Sequence, residues 1–334
     1  MKRIQQINKY IITLLVFMLI IGGCAKQGPA SNQPETTKTD AKINADQQEA
    51  KEDNKEGKEV DTTYPLTIKD SFEREIVIEQ EPKRIISIAP SITETIFAIG
   101  AGERLVGRTE YCDFPMEVTN IDSIGTISEP SIEKIVELEP DLVLAATHFK
   151  QESLEQLEAV GIPVIILYDG NNFEEVYQMI GMIGKVTNRE VVAENVIQGM
   201  KDKIQFVMDK VKDQNQPVVY YVVAFGEYGD YTAGGDTFIS QMIEMAGGTN
   251  AAKEAEGWSY SIEKLVEQDP DIVICSQYFD AKSGIETSNG YKDLTAVKEG
   301  RLYEIDNNLL DRQGPRLAEG LEGLAKIIHP DLFK

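Results

Sequence analysis

Histidine is almost missing from this sequence: 334 residues contain two, His148 and His329. Zinc and related transition-metal sites combine several His, Cys or carboxylate ligands at short, regular spacings. These two histidines have no such spacing, and a lone loop histidine such as His148, just past an apolar run, reads as a solvated residue. Neither a Gly-x-Ser-x-Gly elbow nor a Walker sequence occurs, which argues against that route of acyl transfer and against ATP hydrolysis by this chain. Gly100-Ala-Gly102 lacks the third spaced glycine of a dinucleotide loop and follows a predicted helix, so it reads as a helix end and turn. Cations are also scarce, 33 Lys and Arg against 56 Asp and Glu, for a formal charge of −23. A polyanion such as nucleic acid is therefore excluded as a partner. Cysteine is limited to Cys24, Cys112 and Cys275, tryptophan to Trp258. Past Ile21 no apolar run is long enough to span a bilayer.

The N-terminus has what the rest lacks. Lys2, Arg3 and Lys9 precede an apolar block from Tyr10 to Ile21, followed by Ile21-Gly22-Gly23-Cys24. This is the order of a secretory signal, with a core too short for a membrane span. The small residues before Cys24 resemble a lipobox, after which the cysteine thiol is diacylated. Two acyl chains hold stably where one does not, so Cys24 is the expected lipidation site and membrane anchor. The following stretch, to about Thr63, is rich in Lys, Glu, Asp, Gln, Asn and Thr without an aromatic residue, and reads as a disordered tether. Export leaves Cys112 and Cys275 in an oxidising compartment. Cys275 lies inside the apolar run Asp271-Ile-Val-Ile-Cys275, which reads as a buried strand; a disulfide between the two is open if geometry allows it, and two unpaired thiols acting as small hydrophobes are the favoured reading.

The folded part contains an internal repeat. Ser131-Ile-Glu-Lys-Ile-Val-Glu-Leu-Glu-Pro-Asp-Leu-Val-Leu144 returns 130 residues later as Ser261-Ile-Glu-Lys-Leu-Val-Glu-Gln-Asp-Pro-Asp-Ile-Val-Ile274, with nine identities in fourteen positions. So long a period predicts two lobes of one design rather than a solenoid. Each copy spells a serine N-cap, an amphipathic helix, a Pro-Asp break and an apolar strand. Arg84 to Pro90 reads as a strand leading into a helix, with Ser91 and Glu94 in capping-box spacing. Pro217 to Phe225 opens the second half similarly. A helix over Glu152–Val160 precedes a strand over Pro163–Leu167, and a helix over Tyr291–Val297 precedes a strand over Leu302–Ile305. Strands alternating with helices predict an α/β fold with parallel sheets covered on both faces. From Asn188 to about Gln214 the pattern is one helix, roughly 40 Å long. The expected division is a signal peptide over 1–23, a tether over 24–63, lobes over 64–186 and 216–334, and a bridging helix over 187–215. A ligand cleft belongs between the lobes, beyond the strand ends.

Four segments in order carry a resemblance: Leu105-Val-Gly-Arg-Thr-Glu-Tyr-Cys-Asp-Phe-Pro115, Phe225-Gly-Glu-Tyr-Gly-Asp-Tyr-Thr-Ala-Gly-Gly235, the doubled Ser-Ile-Glu-Lys element and Arg312-Gln-Gly-Pro-Arg316. Together they resemble the cobalamin and ferric-siderophore periplasmic-binding family, from Ile85 to the C-terminus. The resemblance implies a binding protein without enzymatic activity or resident cofactor, held at the outer face of the cytoplasmic membrane. It would deliver a cobalt corrinoid or ferric chelate to an ABC permease dimer driven by cytoplasmic ATPase subunits. It also implies that Glu133 and Glu263, in the first turn of each repeated helix, meet arginines of the permease. A first-turn carboxylate also complements the helix dipole with no partner at all. Tyr111, Tyr231 and Trp258 fall where the resemblance puts aromatic ligand contacts, and flat chelates suit such faces. Arg312 and Arg316 either meet an anionic ligand or tie their turn to nearby carboxylates. Where some cobalamin binders have a second tryptophan before the first docking helix, this chain has Ile127. The few histidines disfavour the related zinc and manganese receptors. Haem binding in the same importer class, or a surface sensor or adhesin on the same fold, are the alternatives.

Overall fold

The computed structural model describes residues 62–168, 170–226 and 229–334. The expected signal peptide, Cys24 and nearly all of the expected tether lie outside the described residues. The chain begins with an antiparallel hairpin, β1 (Leu66–Lys69) and β2 (Glu75–Ile78). The hairpin is tied to the first lobe by Asp70, whose carboxylate accepts from the backbone N–H groups of Phe72 at 2.9 Å and Ile166 at 3.2 Å.

In the first lobe β3 (Ile85–Ile88), β4 (Leu105–Arg108), β5 (Leu142–Ala146) and β6 (Val164–Leu167) form a parallel sheet in the order β4-β3-β5-β6. In the second, β7 (Val218–Ala224), β10 (Ile272–Ser276) and β11 (Leu302–Ile305) are parallel, in the order β11-β10-β7. Beyond β7 lie β8 (Tyr231–Thr232) and β9 (Thr249–Asn250). Within this sheet only β8 runs antiparallel, which departs from the all-parallel expectation and places Tyr231 on a strand. Both sheets thus grow outward in two directions from their first strand, and a crevice forms at such a switch point beyond the carboxyl ends.

The repeat is exact at the level of elements. Helix α2 (Ile132–Glu137), strand β5 and helix α3 (Gln151–Ala159) begin 130 residues before α7 (Ile262–Gln268), β10 and α8 (Ala281–Thr287). Ser131 and Ser261 cap the two repeated helices, each hydroxyl accepting from the backbone N–H three residues on. The capping box expected at Ser91 does not form. Pro90 fixes the helical φ and opens α1 (Pro90–Ala98) with Ala89 as N-cap, so Ser91 falls inside the helix and Glu94 is free to point elsewhere. The helix expected over Tyr291–Val297 is also split, into a 3-10 turn and α9 (Thr295–Lys298). Asp269 reaches across to accept from the N–H and hydroxyl of Thr295 at 2.8 and 2.6 Å, starting a fresh helix there.

Between the sheets the chain runs through α4 (Phe173–Val186) and the 22-residue α5 (Glu190–Val211), about 33 Å long. Strand alternation decides what these helices bury. Ile85, Leu142, Leu144 and Ile165 of the first sheet share a single apolar cluster with Ile180 and Ile183 of α4, Met200, Ile204 and Val207 of α5, and Val219, Tyr221 and Ile274 of the second sheet. Helices α6 (Phe238–Met245) and α11 (Leu317–Ile328) complete this core. The alternate residues face private cores: Ile86, Val143 and Ala145 in one lobe, Tyr220, Val273 and Cys275 in the other. Cys112 and Cys275 are both buried free thiols.

Candidate functional site

The first lobe sends three exposed side chains beyond its strand ends: Tyr111 after β4, His148 after β5 and Tyr168 after β6. In the second lobe Phe225 follows β7, while Tyr278 and Phe279 follow β10. Tyr231 pairs with Ala224 at the carboxyl end of β7, so β8 delivers its ring to the same edge. Trp258 lies alongside, its carbonyl accepting from the N–H of Thr232 at 2.8 Å. It is 48% exposed, Tyr111 50% and Tyr231 40%. Half-exposed aromatic rings at the carboxyl edges of two facing sheets are apolar surface without a partner in the free protein.

A 470 Å³ cavity joins the lobes at Trp258, with Asn171 contributed by the first lobe and Asp236, Thr237, Asp311 and Gln313 by the second. At its wall Gln241 donates to the carbonyl of Asn171 at 3.2 Å, linking the lobes, and Asp236 accepts from Gly257 N–H at 2.7 Å. Two carboxylates, two amides and one indole line it together with the apolar Phe238, Ile239 and Leu310, and among the described residues no Lys, Arg or His does. Tyr111 is not among its lining residues. It belongs to a separate wall on the first lobe.

The arginines meet a carboxylate of the opposite lobe. Arg316 grips Glu94 with two bonds, Nε to Oε2 at 2.9 Å and Nη2 to Oε1 at 2.7 Å. Arg312 adds a third at 2.9 Å, binds Asp113 at 2.6 Å and donates to the carbonyl of Tyr111 at 3.3 Å. Glu94 is only 3% exposed, and the guanidinium of Arg316 also stacks 3.8 Å above the ring of Phe114. Paired bidentate geometry of this kind is strong and directional. The cluster links the two lobes and holds the loop carrying Tyr111. Burial would push Asp113 up, but the hydrogen bond and charge of Arg312 outweigh it and hold this carboxyl below its ordinary value.

Glu133 and Glu263 are exposed in the first turns of α2 and α7. Each helix runs back toward the amino end of the strand that follows it, so both carboxylates sit on the carboxyl-end side of their lobes. Glu263 also accepts from the Ser261 hydroxyl, which lowers its pKa. His329, by contrast, is buried in the second lobe with Nε2 3.0 Å from the carbonyl of Gly247. Sequence reasoning missed Phe114, Tyr168, Tyr278 and Phe279. The last two were within reach, because extending the repeat by five residues past Ile274 lands on them.

A profile of the periplasmic binding proteins matches residues 85–309 of this chain. The chain belongs to that family. Over 87% of its length it is 34% identical to an uncharacterized ABC transporter substrate-binding lipoprotein, YvrC, of Bacillus subtilis, covering 92% of that protein. It is 28% identical over 80% of its length to a cobalamin-binding protein of Halobacterium salinarum, covering 75% of it. Among solved structures, the periplasmic haem-binding protein RhuT of Roseiflexus superposes with a TM-score of 0.69 at 26% identity, covering 75% of this chain and 99% of that one. The two-lobed α/β fold read from the repeat agrees with these matches.

Proposed function

We propose that this family member is the substrate-binding lipoprotein of an ABC importer, and that it captures a neutral, amide-rich metal chelate of the cobalamin type between its lobes. The reading is carried by the Trp258 cavity, where an indole and the apolar Phe238, Ile239 and Leu310 share a crevice with two carboxylates and two amides and, among the described residues, no cation. A corrin has a broad ring for aromatic contact and a periphery of uncharged carboxamides, which donate to Asp236, Asp311 and the carbonyl oxygens of Asn171 and Gln313. Haem propionates and ferric catecholates bring negative charge to that lining, and the nearby arginines are already committed to Glu94 and Asp113. A ferric hydroxamate with little net charge is the next best fit. The cobalamin-binding relative supports the first choice; the haem-binding neighbour supports the alternative that the charge of the cleft disfavours.

Capture needs no chemistry from the protein. Tyr111, Tyr231 and Trp258 supply area at little entropic cost, since aromatic side chains lose few rotamers on binding. Arg312 and Arg316 serve the site as fixed structure rather than as ligand contacts. Glu133 and Glu263 dock the two lobes on arginines of a permease dimer, whose cytoplasmic ATPase partners supply the energy. Diacylated Cys24 holds the protein at the outer face of the membrane. Titrating Trp258 fluorescence with cobalamin, haem, a ferric hydroxamate and a ferric catecholate tests the ligand. Quenching by cobalamin at the lowest concentration is expected, and tighter binding of haem or the catecholate would overturn the charge reasoning.

A further inference from the structure

At offset 130 the two lobes hold the same residue in opposite situations. Phe149 of the first lobe is buried, 4% exposed, in one apolar cluster with Ala145 and Leu154. Phe279 of the second is 100% exposed. The positions matching Ala145 and Leu154 are Cys275 and Gly284, and a 470 Å³ cavity is found beside them, lined by Val222, Val223, Phe225, Cys275, Tyr278 and Ile285 among others. The second lobe has an opening where the first is filled by its own phenylalanine.

The backbone keeps the ring out. Phe279 and Asp280 both lie in the left-handed region, with φ of 59° and 52°, a conformation that side chains with a Cβ adopt at a cost. The wall is firm: Phe225 packs against Gly284, where an added Cβ would come within 2.6 Å of its ring, and meets Tyr291 edge-on at 6.3 Å. Tyr278 is pinned through its hydroxyl to Asp306 at 3.0 Å. The cavity lies at the carboxyl ends of β7 and β10, on the same sheet edge as Tyr231, and its volume suits a small-molecule group. Among the described residues none that lines it is charged.

We infer that this cavity, with Phe279 as its lip, receives a flat uncharged heteroaromatic ring carried by the ligand. The inference rests on the corrinoid reading above and deepens it, because the ring a cobalamin offers is its lower axial base. The corrin itself meets the Trp258 side of the edge, and the base, projecting from the macrocycle, is taken up between Phe225 and Phe279. An aromatic lining without charges favours such a ring over a carboxylate or phosphate.

Affinities of cobalamin and of cobinamide, which lacks the nucleotide base, are measured by Trp258 quenching for the wild type, Phe279→Ala and Phe279→Gly. The wild type is expected to bind cobalamin about tenfold more tightly than cobinamide, the order of one aromatic contact. Both variants should bring that ratio close to one while leaving cobinamide affinity unchanged. Phe279→Gly should also melt higher than the wild type, since glycine relieves the left-handed backbone. A ratio unaltered by both variants, or an equal loss for both corrinoids, overturns the base subsite while the ligand class stands. Failure of both corrinoids to bind the wild type removes the corrinoid reading and the subsite together.

Discussion

The two lobes were built to one plan and then spent its parts differently. In the first, α2, β5 and α3 surround a closed private core that includes Phe149. In the second, α7, β10 and α8 begin at the same offsets, yet the matching core is open at Phe279 and lined by Phe225 and Tyr278. The shared core between them, built on α4, α5 and α11, shows no such asymmetry and takes alternate residues from both sheets. The difference teaches that the repeat preserves what holds the elements in register, while the residues just past the strand ends are free to change role.

The largest effect should come from breaking the copy that is closed. Phe149→Ala removes a buried ring and should cost about 3 to 5 kcal/mol in chemical denaturation, whereas Phe279→Ala should leave the midpoint unchanged within scatter. Equal losses in both lobes would mean that Phe279 packs inward in solution. Next, Glu94→Gln should destabilise by about 2 to 4 kcal/mol, because it leaves two partly buried guanidiniums facing each other with a neutral amide. Its ligand affinity should fall too, since the Tyr111 loop loses its brace. If stability is unchanged, the lobes are not coupled through this cluster. Trp258→Ala and Tyr111→Ala should each weaken cobalamin binding roughly tenfold to a hundredfold at near-normal stability, checked by calorimetric titration, with full retained affinity counting against the aromatic cleft.

Smaller effects sharpen the docking comparison. Glu133→Gln and Glu263→Gln should leave ligand affinity intact and shift the melting temperature little, with the larger shift at Glu263, which Ser261 also contacts. Uptake by cells should drop in each and most in the double variant. Normal uptake in the double variant would leave only helix-end stabilisation. The smallest expected effect is on pH dependence. Asp113 has a lowered pKa in the folded protein. Its contribution is therefore fully present above the unfolded carboxyl value and is lost as pH falls through the folded one. Asp113→Asn should flatten the wild-type stability curve slightly in that acidic window and not at neutral pH.

What could be read in the sequence follows the same division. The repeat exposed the caps at Ser131 and Ser261 and the strands β5 and β10, because local hydrogen bonding and apolar runs decide them. Strand β8 was not legible: two residues carry no periodicity, and their antiparallel pairing goes with a register irregularity on β7 between Val222 and Ala224. The fate of Glu94 was misread because its partners, Arg312 and Arg316, are more than two hundred residues away, and no local spacing announces such a contact. The same holds for Phe279. Its identity with Phe149 was in plain view, but which way each ring turns is set by backbone φ, which a phenylalanine does not advertise.

The place where the chain joins the folded body has a consequence for reach. Thr62 donates to Asn188 at 2.8 Å and Tyr64 to the carbonyl of Val186 at 3.0 Å, so the polypeptide arrives at the corner between α4 and α5. Arg104, just before β4, binds the carbonyl of Thr187 at 2.7 Å, which puts that corner at the amino end of the first sheet. The leash is therefore fastened at the pole opposite Glu133, Glu263 and the cleft. With Cys24 in the membrane and Glu133 and Glu263 on a permease, both as proposed, the far pole would face the bilayer during delivery, and the distance from Cys24 to Thr62 would have to match the length of the body. A body of about 270 residues has a radius of gyration near 18 Å, or roughly 50 Å across. The 37 residues between Cys24 and Thr62 allow about 125 Å at full stretch. A leash cut to a third of that length would tether the protein and still strand its cargo on the wrong side.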